Sequence, residues 1–208
     1  MEKIKYLCLV ILFQLLPLEI FAQIESDFEV KQLVGNKTVE ITKYNGTAKN
    51  VVIPSTLYGL TVTRIGSWAF LWKGIDSVVI PNTVTVIGDN AFFGNNLTRI
   101  NIPNSVKTIE TAAFSVNKIT SLVIPNSVTR IDMWAFQDNR ITELVFPISV
   151  VSIGSNVFNK NPITKIILPA NAQDSIIKKL YDEGFYNYWK SQNIAGGTYI
   201  KNGIWKRE

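Results

Sequence analysis

Residues 124–142 read IPNSVTRIDMWAFQDNRIT, and close copies of that string stand before and after it at a constant interval. Pro81, Pro103, Pro125, Pro147 and Pro169 are each 22 residues from the next. Phe70, Phe92, Phe114, Phe136 and Phe158 keep the same period, and so do Ile65, Ile87, Ile109, Ile131 and Ile153. Three residue columns sharing one period make a tandem repeat, and a period of this length indicates units too small to fold alone that stack into a solenoid.

Inside one unit the pairs Val78/Ile80, Ile100/Ile102, Leu122/Ile124, Leu144/Phe146 and Ile166/Leu168 alternate with outward positions. Each therefore reads as a short strand with one buried face, and stacked coils set these strands side by side in a parallel sheet. Proline ends each strand, since it has no amide hydrogen to give to a neighbouring coil. A second extended piece (VTVI, VKTI, VTRI, VVSI) points Val84, Val106, Val128 and Val150 inward beside the isoleucine column. An Ala-Phe pair then returns to the core, Val157 replacing alanine in the last unit. Coils ~4.8 Å apart would stack the five phenylalanines into one spine. Three residues beyond each ring stands Asn95, Asn117, Asn139 or Asn161, with Lys73 in the first unit. A carboxamide both donates and accepts, so stacked asparagines can satisfy the backbone of these turns. Thr98, Thr120, Thr142 and Thr164 form a further row, expected to hydrogen-bond through their side chains.

The pattern LVIPNSVTRIDMWAFQDN resembles the BspA-like leucine-rich repeats of bacterial surface proteins, also called the Treponema pallidum class, and the likeness covers residues 51–168. That family often places cysteine where Asn95, Asn117, Asn139 and Asn161 stand here. The resemblance implies a right-handed leucine-rich-repeat coil stack, mostly β with short turns or 3-10 segments. It also implies an exported or surface-exposed binding module whose partner is an extracellular or surface protein of a host or neighbouring cell. Fold alone does not establish function.

The rest of the chain reads as flanking parts. Lys3 and Lys5 precede an apolar run over residues 6–16, and a small residue, Ala22, follows, so residues 1–22 read as a secretory signal cut near Ala22 and Gln23. Gln14, Pro17 and Glu19 interrupt the run and argue against a membrane span, so no stable span is expected after cleavage. Phe28 to Tyr44 alternate apolar and polar positions on either side of Gly35-Asn36, so residues 23–50 read as a hairpin that caps the first coil. Residues 51–170 hold the repeats, the first carrying five extra residues near Leu57 to Thr61 that bulge from one turn. Over residues 171–208, Ile176, Ile177, Leu180, Tyr181, Phe185, Tyr188 and Trp189 fall at helical spacing with Gly184 as a break. A hairpin turning at Asn202-Gly203 then completes an α+β C-terminal cap. Tyr181, Tyr188, Trp189 and Trp205 are either core of that cap or a cluster for stacking a ligand.

Composition limits the chemistry. The chain of 208 residues has 47% hydrophobic content, so it can build a core. Its one cysteine, Cys8, lies in the export segment, and it has no histidine, which removes disulfides, thiol nucleophiles, histidine bases and Cys/His zinc sites. No phosphate loop or G-x-S-x-G is present, and neither cofactor nor metal is expected. The net charge of +5 is spread singly along the chain, which predicts mild attraction to anionic surfaces and no nucleic-acid groove.

Two surfaces remain as candidates for binding. On the outward sheet face, Val52, Val79, Asn101, Val123, Val145 and Ile167 form one column beside Ser77, Arg99, Ser121, Glu143 and Lys165. Either this is an apolar stripe flanked by charges for a protein partner, or β-branched residues simply favour strands. Glu143 and Lys165 are placed to pair. The second surface gathers Trp68, Leu71, Trp72 and Phe93 where other units carry small or polar residues, with Trp134 repeating the theme. Those groups either meet a partner or are buried under the first-unit bulge. The competing class is a carbohydrate-active enzyme using Glu110 and Asp132, which follow the isoleucine in adjacent coils at a separation suited to a glycosidase pair. A structural envelope protein is the third, expected if the chain's own termini cover the valine column.

Overall fold

A computed structural model describes residues 24–33, 35, 37–170, 172–180, 183–191, 197–202 and 204–207. The expected export segment, residues 1–22, lies outside them, as do Asn36, Tyr181 and Gly203.

The chain runs through β1 (Phe28–Gln32), β2 (Thr38–Tyr44), β3 (Asn50–Val52), β4 (Thr56–Leu57), β5 (Leu60–Ile65), β6 (Ser77–Val79) and β7 (Val86–Ile87). It continues with β8 (Thr108–Ile109), β9 (Ser121–Val123), β10 (Arg130–Ile131), β11 (Glu143–Val145), β12 (Ser152–Ile153) and β13 (Lys165–Leu168). Two helices, α1 (Asp174–Leu180) and α2 (Glu183–Ser191), and a last pair, β14 (Gly197–Asn202) and β15 (Ile204–Arg207), complete it. The result is a β solenoid of stacked parallel coils. Its core is the set of columns read from the sequence: Ile65, Ile87, Ile109, Ile131 and Ile153 are buried and lie in register from coil to coil.

The short second extended piece of each unit forms the longest continuous sheet, in the order β1-β2-β5-β7-β8-β10-β12. The antiparallel hairpin β1–β2 opens that sheet, β2 running parallel to β5. The first-unit insertion is itself a hairpin: β4 pairs antiparallel with β5 through Tyr58 and Gly59, both at positive φ. It buries Leu57 and is tied down by hydrogen bonds from the Tyr58 amide to Glu25 Oε1 (2.8 Å) and from the Tyr58 hydroxyl to the Glu25 carbonyl (2.9 Å).

The outward sheet is less regular than the sequence columns imply. β3 pairs only with β6, while β9, β11 and β13 form a separate sheet that β14 and β15 extend. No strand forms at Arg99, Ile100 and Asn101. Asparagine stands there in the column where the neighbouring coils place valine, and it is a poor strand former.

Phe70, Phe92, Phe114, Phe136 and Phe158 stack at centroid separations of 4.9, 5.3, 5.4 and 5.7 Å. Tyr44 of the N-terminal hairpin adds a ring 5.2 Å from Phe70, and Phe28 packs on Tyr44 at 5.3 Å. The asparagine ladder joins coils as well as closing turns. Asn117 Nδ2 donates to Phe114 O (3.2 Å) in its own coil and to Phe92 O (2.9 Å) in the one before, while its Oδ1 accepts from Leu97 N (3.1 Å). Asn95 does the same for the first coil through Phe70 O and Ile75 N, so Lys73 needs no carboxamide of its own. In the threonine row the hydroxyls of Thr142 and Thr164 donate to the main-chain carbonyls of Thr120 and Thr142 at 3.3 Å, side chain to backbone rather than side chain to side chain.

At the far end Ile176, Ile177, Leu180 and Trp189 are buried, so α1 and α2 cover the last coil. Gly184 lies inside α2 and does not break a helix. Tyr199 of β14 is also buried, and Tyr188 meets it edge-on at 6.3 Å while its hydroxyl accepts a hydrogen bond from Arg207 N at 2.7 Å. Tyr188 and Trp189 thus belong to the cap's packing and not to a ligand-stacking cluster.

Candidate functional site

Every coil turns twice through left-handed backbone, two residues before and two residues after its phenylalanine. Trp68, Asn90, Ala112, Trp134 and Asn156 hold the first position at φ 61°, 54°, 53°, 59° and 57°. Trp72, Gly94, Val116, Asp138 and Lys160 hold the second, at φ 53°, 69°, 56°, 56° and 57°. Glycine, asparagine and aspartate accept this conformation, whereas other side chains are strained in it by ~1 to 2 kcal/mol per residue. Asn90, Gly94, Asp138 and Asn156 are thus the residues the geometry asks for, and the tryptophans are not.

The tryptophans nonetheless point outward. Trp68 is 59% exposed, Trp72 64% and Trp134 39%. The first-unit hairpin does not cover Trp68 and Trp72, so the alternative of burial beneath it is set aside. Trp72 is held in place all the same: it meets Phe93 edge-on at 5.5 Å, and a Cβ at Gly94 would collide with its ring. Phe93 and Leu71 are half-buried beside it. Met133, 42% exposed, adds a further apolar group next to Trp134 that the sequence columns did not single out. The signal for this edge was present in Asn90, Gly94 and Asn156, whose residue types mark left-handed positions.

The outward sheet face is brought together only in part. Val123, Val145 and Ile167 lie side by side in register, as do Ser121, Glu143 and Lys165. Lys165 Nζ stands 3.7 Å from Glu143 Oε1, the expected pair. Val123 is 63% exposed, while Val145 and Ile167 are half-buried. A shallow groove of 830 Å³ runs past these three side chains and Pro125, Pro147 and Pro169. Val52 and Val79 are also exposed but belong to the separate β3–β6 pair, and Arg99 and Asn101 sit in the interruption between the two sheets. β14 continues the sheet sideways from β13 and does not lie across the valine column.

Glu110 and Asp132 occupy adjacent coils as expected, but each is engaged by a different arginine. Arg64 Nη2 donates to Glu110 Oε2 at 2.6 Å, and Arg64 also stands 3.5 Å from Glu40. Asp132 accepts two hydrogen bonds from Arg130, at 2.7 and 3.0 Å, and these raise the guanidinium pKa above its usual value. The two carboxylates are therefore each engaged in an ion pair along the sheet. Where Gly154 follows Asp132 in the next coil, a Cβ would strike the backbone of Asp132 and Met133, so the glycines of this column allow close approach between coils. No group of residues suited to a metal ion occurs among the described residues, and none of their helices is long and apolar enough to cross a membrane.

Compared with known families, residues 63–189 match the BspA type leucine rich repeat region, in 6 copies. Among solved structures the chain is similar to a leucine-rich repeat protein from Bacteroides ovatus, at 29% identity and a TM-score of 0.62, over 72% of this chain and 40% of that one. It is similar to the T. pallidum leucine rich repeat protein at 27% identity and a TM-score of 0.61, over 71% of this chain and 72% of that one. A leucine-rich repeat protein from Eubacterium ventriosum, 22% identical with a TM-score of 0.56 over 65% of this chain and 40% of that one, shares the fold. The chain thus spans less than half the length of the Bacteroides ovatus protein. No curated protein matches it.

Proposed function

Because the chain belongs to the BspA type leucine-rich-repeat family, we propose that it is an exported, non-enzymatic binding module that holds an extracellular or surface protein against its aromatic edge. The observation that carries this reading is the exposure of Trp68 and Trp72. Each combines a strained backbone with an indole more than half exposed, where asparagine or glycine would relax the turn. The left-handed backbone is common to every coil, so what sets Trp68 and Trp72 apart is a large, exposed indole at each, and exposed indoles are the usual anchors of protein interfaces.

The outward sheet is a second surface, favoured by the groove along Val123, Val145 and Ile167. Ion pairing of Glu110 with Arg64 and of Asp132 with Arg130 supports a binding role for the chain over glycoside hydrolysis. Export rests on residues 1–22 as read from the sequence.

Capture of extracellular-matrix and cell-surface proteins by the chain tests the proposal. Trp68→Ala/Trp72→Ala should abolish capture, and Val123→Asp/Val145→Asp should leave most of it. Full capture by the tryptophan variant would refute the aromatic edge, and loss only in the valine variant would move the interface to the sheet. Sugar release from a glycan that disappears in Glu110→Gln would overturn the non-enzymatic reading.

A further inference from the structure

The solenoid sorts its charges. Arg64, Arg130, Lys165 and Lys43 each stand in an ion pair on a sheet or hairpin. Lys118, Arg140, Lys160 and Lys179 are exposed and have no ion pair among the described residues. Lys118 and Arg140 hold the same position of adjacent coils, Lys160 stands two positions earlier in the turn of the following coil, and Lys179 lies on α1 beyond it, so stacking brings the four to one edge. Arg140 N donates to Ile119 O at 3.0 Å, which sets Arg140 one coil beyond Lys118, and Lys160 follows in the coil after. Asp138 holds the position of Lys160 one coil earlier and is the acidic residue nearest to this edge in sequence.

The edge ends at a cavity of 300 Å³ between the last coil and α1, with Lys160, Lys179, Asn156 and Asn159 on its polar side and Phe158 and Leu180 on its apolar side. None of its described lining residues is acidic. Lys179 Nζ gives one hydrogen bond to Ile153 O at 3.5 Å, which leaves two donors of its ammonium group. Asn159 Oδ1 accepts from Lys160 N at 2.8 Å, so its NH2 is available, and the Asn156 carboxamide has no partner among the described residues. Two cations and two amides with uncommitted donors converge on one concave site.

We infer that this edge binds an acidic polysaccharide. A carboxylate or sulfate sits in the cavity against Lys160 and Lys179, and the polymer runs on over Arg140 and Lys118. Lys118 and Arg140 stand one coil apart, ~4.8 Å, so anionic groups along one flexible polymer can meet them in succession before the cavity. Asparagine amides suit the hydroxyl and acetamido groups of sugars because they both donate and accept. A single-stranded nucleic acid is disfavoured, since grooves for it interleave basic groups with exposed aromatic rings, and the rows carrying Lys118, Arg140 and Lys160 present none in those coils.

The test is binding of the full chain to size-defined heparin and hyaluronan, with neutral dextran and a DNA strand of equal charge as comparisons. Lys160→Ala/Lys179→Ala and Lys118→Ala/Arg140→Ala should each weaken glycan binding by about tenfold. Lys160→Arg/Lys179→Arg should retain binding. Removing the same charge elsewhere, in Lys31→Ala/Lys107→Ala, should leave it nearly unchanged. Equal losses in all three alanine pairs would reduce the effect to net charge and overturn the site. DNA that competes as well as heparin at physiological salt would overturn the glycan assignment, and binding no tighter than to dextran would overturn both.

Discussion

The indole of Trp72 lies against the backbone of Gly94 in the next coil, in the space a side chain at position 94 would take. Gly94 also holds φ at 69°, so two separate requirements fall on one residue. Gly94→Ala should lower stability by ~1 to 2 kcal/mol through backbone strain and push the indole off its seat. The measurable outcome is a change in tryptophan emission together with partner capture reduced to the level of Trp72→Ala. Unaltered capture would show that the position of the ring is immaterial.

Replacing Trp68 by the residue its turn prefers should separate stability from binding. Trp68→Asn copies Asn90 and Asn156 at the same point of their coils and should raise stability by ~1 kcal/mol as left-handed strain is relieved. Capture should fall at the same time. Chemical denaturation that shows a loss of stability instead would mean the indole contributes to packing.

Phe114 stands between Phe92 and Phe136 and is completely buried. Phe114→Ala should cost ~3 to 5 kcal/mol, and because each coil is stabilised by its neighbours, several coils should melt together. A melting temperature lowered by only a degree or so would contradict the stacked spine.

Asn117 serves carbonyls and an amide in two coils at once. Asn117→Ala leaves those buried groups unpaired and should cost ~2 to 3 kcal/mol. Asn117→Asp should be worse, because a carboxylate offers no donor to Phe92 O and Phe114 O. Hydrogen exchange should show the Leu97 amide losing protection first in Asn117→Ala, whereas the carboxylate of Asn117→Asp still accepts from it.

Burial raises the phenol pKa of Tyr44 and of Tyr199 above the ordinary value of 10.0. The folded state therefore keeps these protons when the unfolded chain has released them. Their contribution is complete below the unfolded pKa and is lost as pH rises through the folded value. Stability should fall above about pH 10, and Tyr44→Phe should flatten part of that decline in an alkaline titration followed by circular dichroism.

A repeat makes core structure legible, since like residues at one period become rows in space. The phenylalanine spine, the isoleucine ladder and the asparagine ladder follow from that alone. Tyr44 escaped because it lies outside the period and reaches the spine where β2 runs beside β5 and its amide donates to Ala69 O. The interruption at Arg99 to Asn101 escaped because Asn101 keeps its place in the column while lacking the branched side chain that favours a strand. At the aromatic edge the residues were visible but their backbone was not, since tryptophan gives no hint of a left-handed turn. The charges misled in the opposite way: Lys118, Arg140 and Lys160 look dispersed in sequence and are brought to one edge by stacking.

The gap between β6 and β9 also bears on how the molecule would respond to being pulled. The coils are joined by two strand ladders, by the turns around the phenylalanines and by the asparagines. At the coil of Ile100 the outward ladder is missing, and the load passes through the inner one at β7, β8 and β10, the turn bonds such as Phe92 N to Ala113 O, and Asn117. Drawn from its two ends, the protein should tear there first, leaving a short fragment with the N-terminal hairpin and a longer one with the helices.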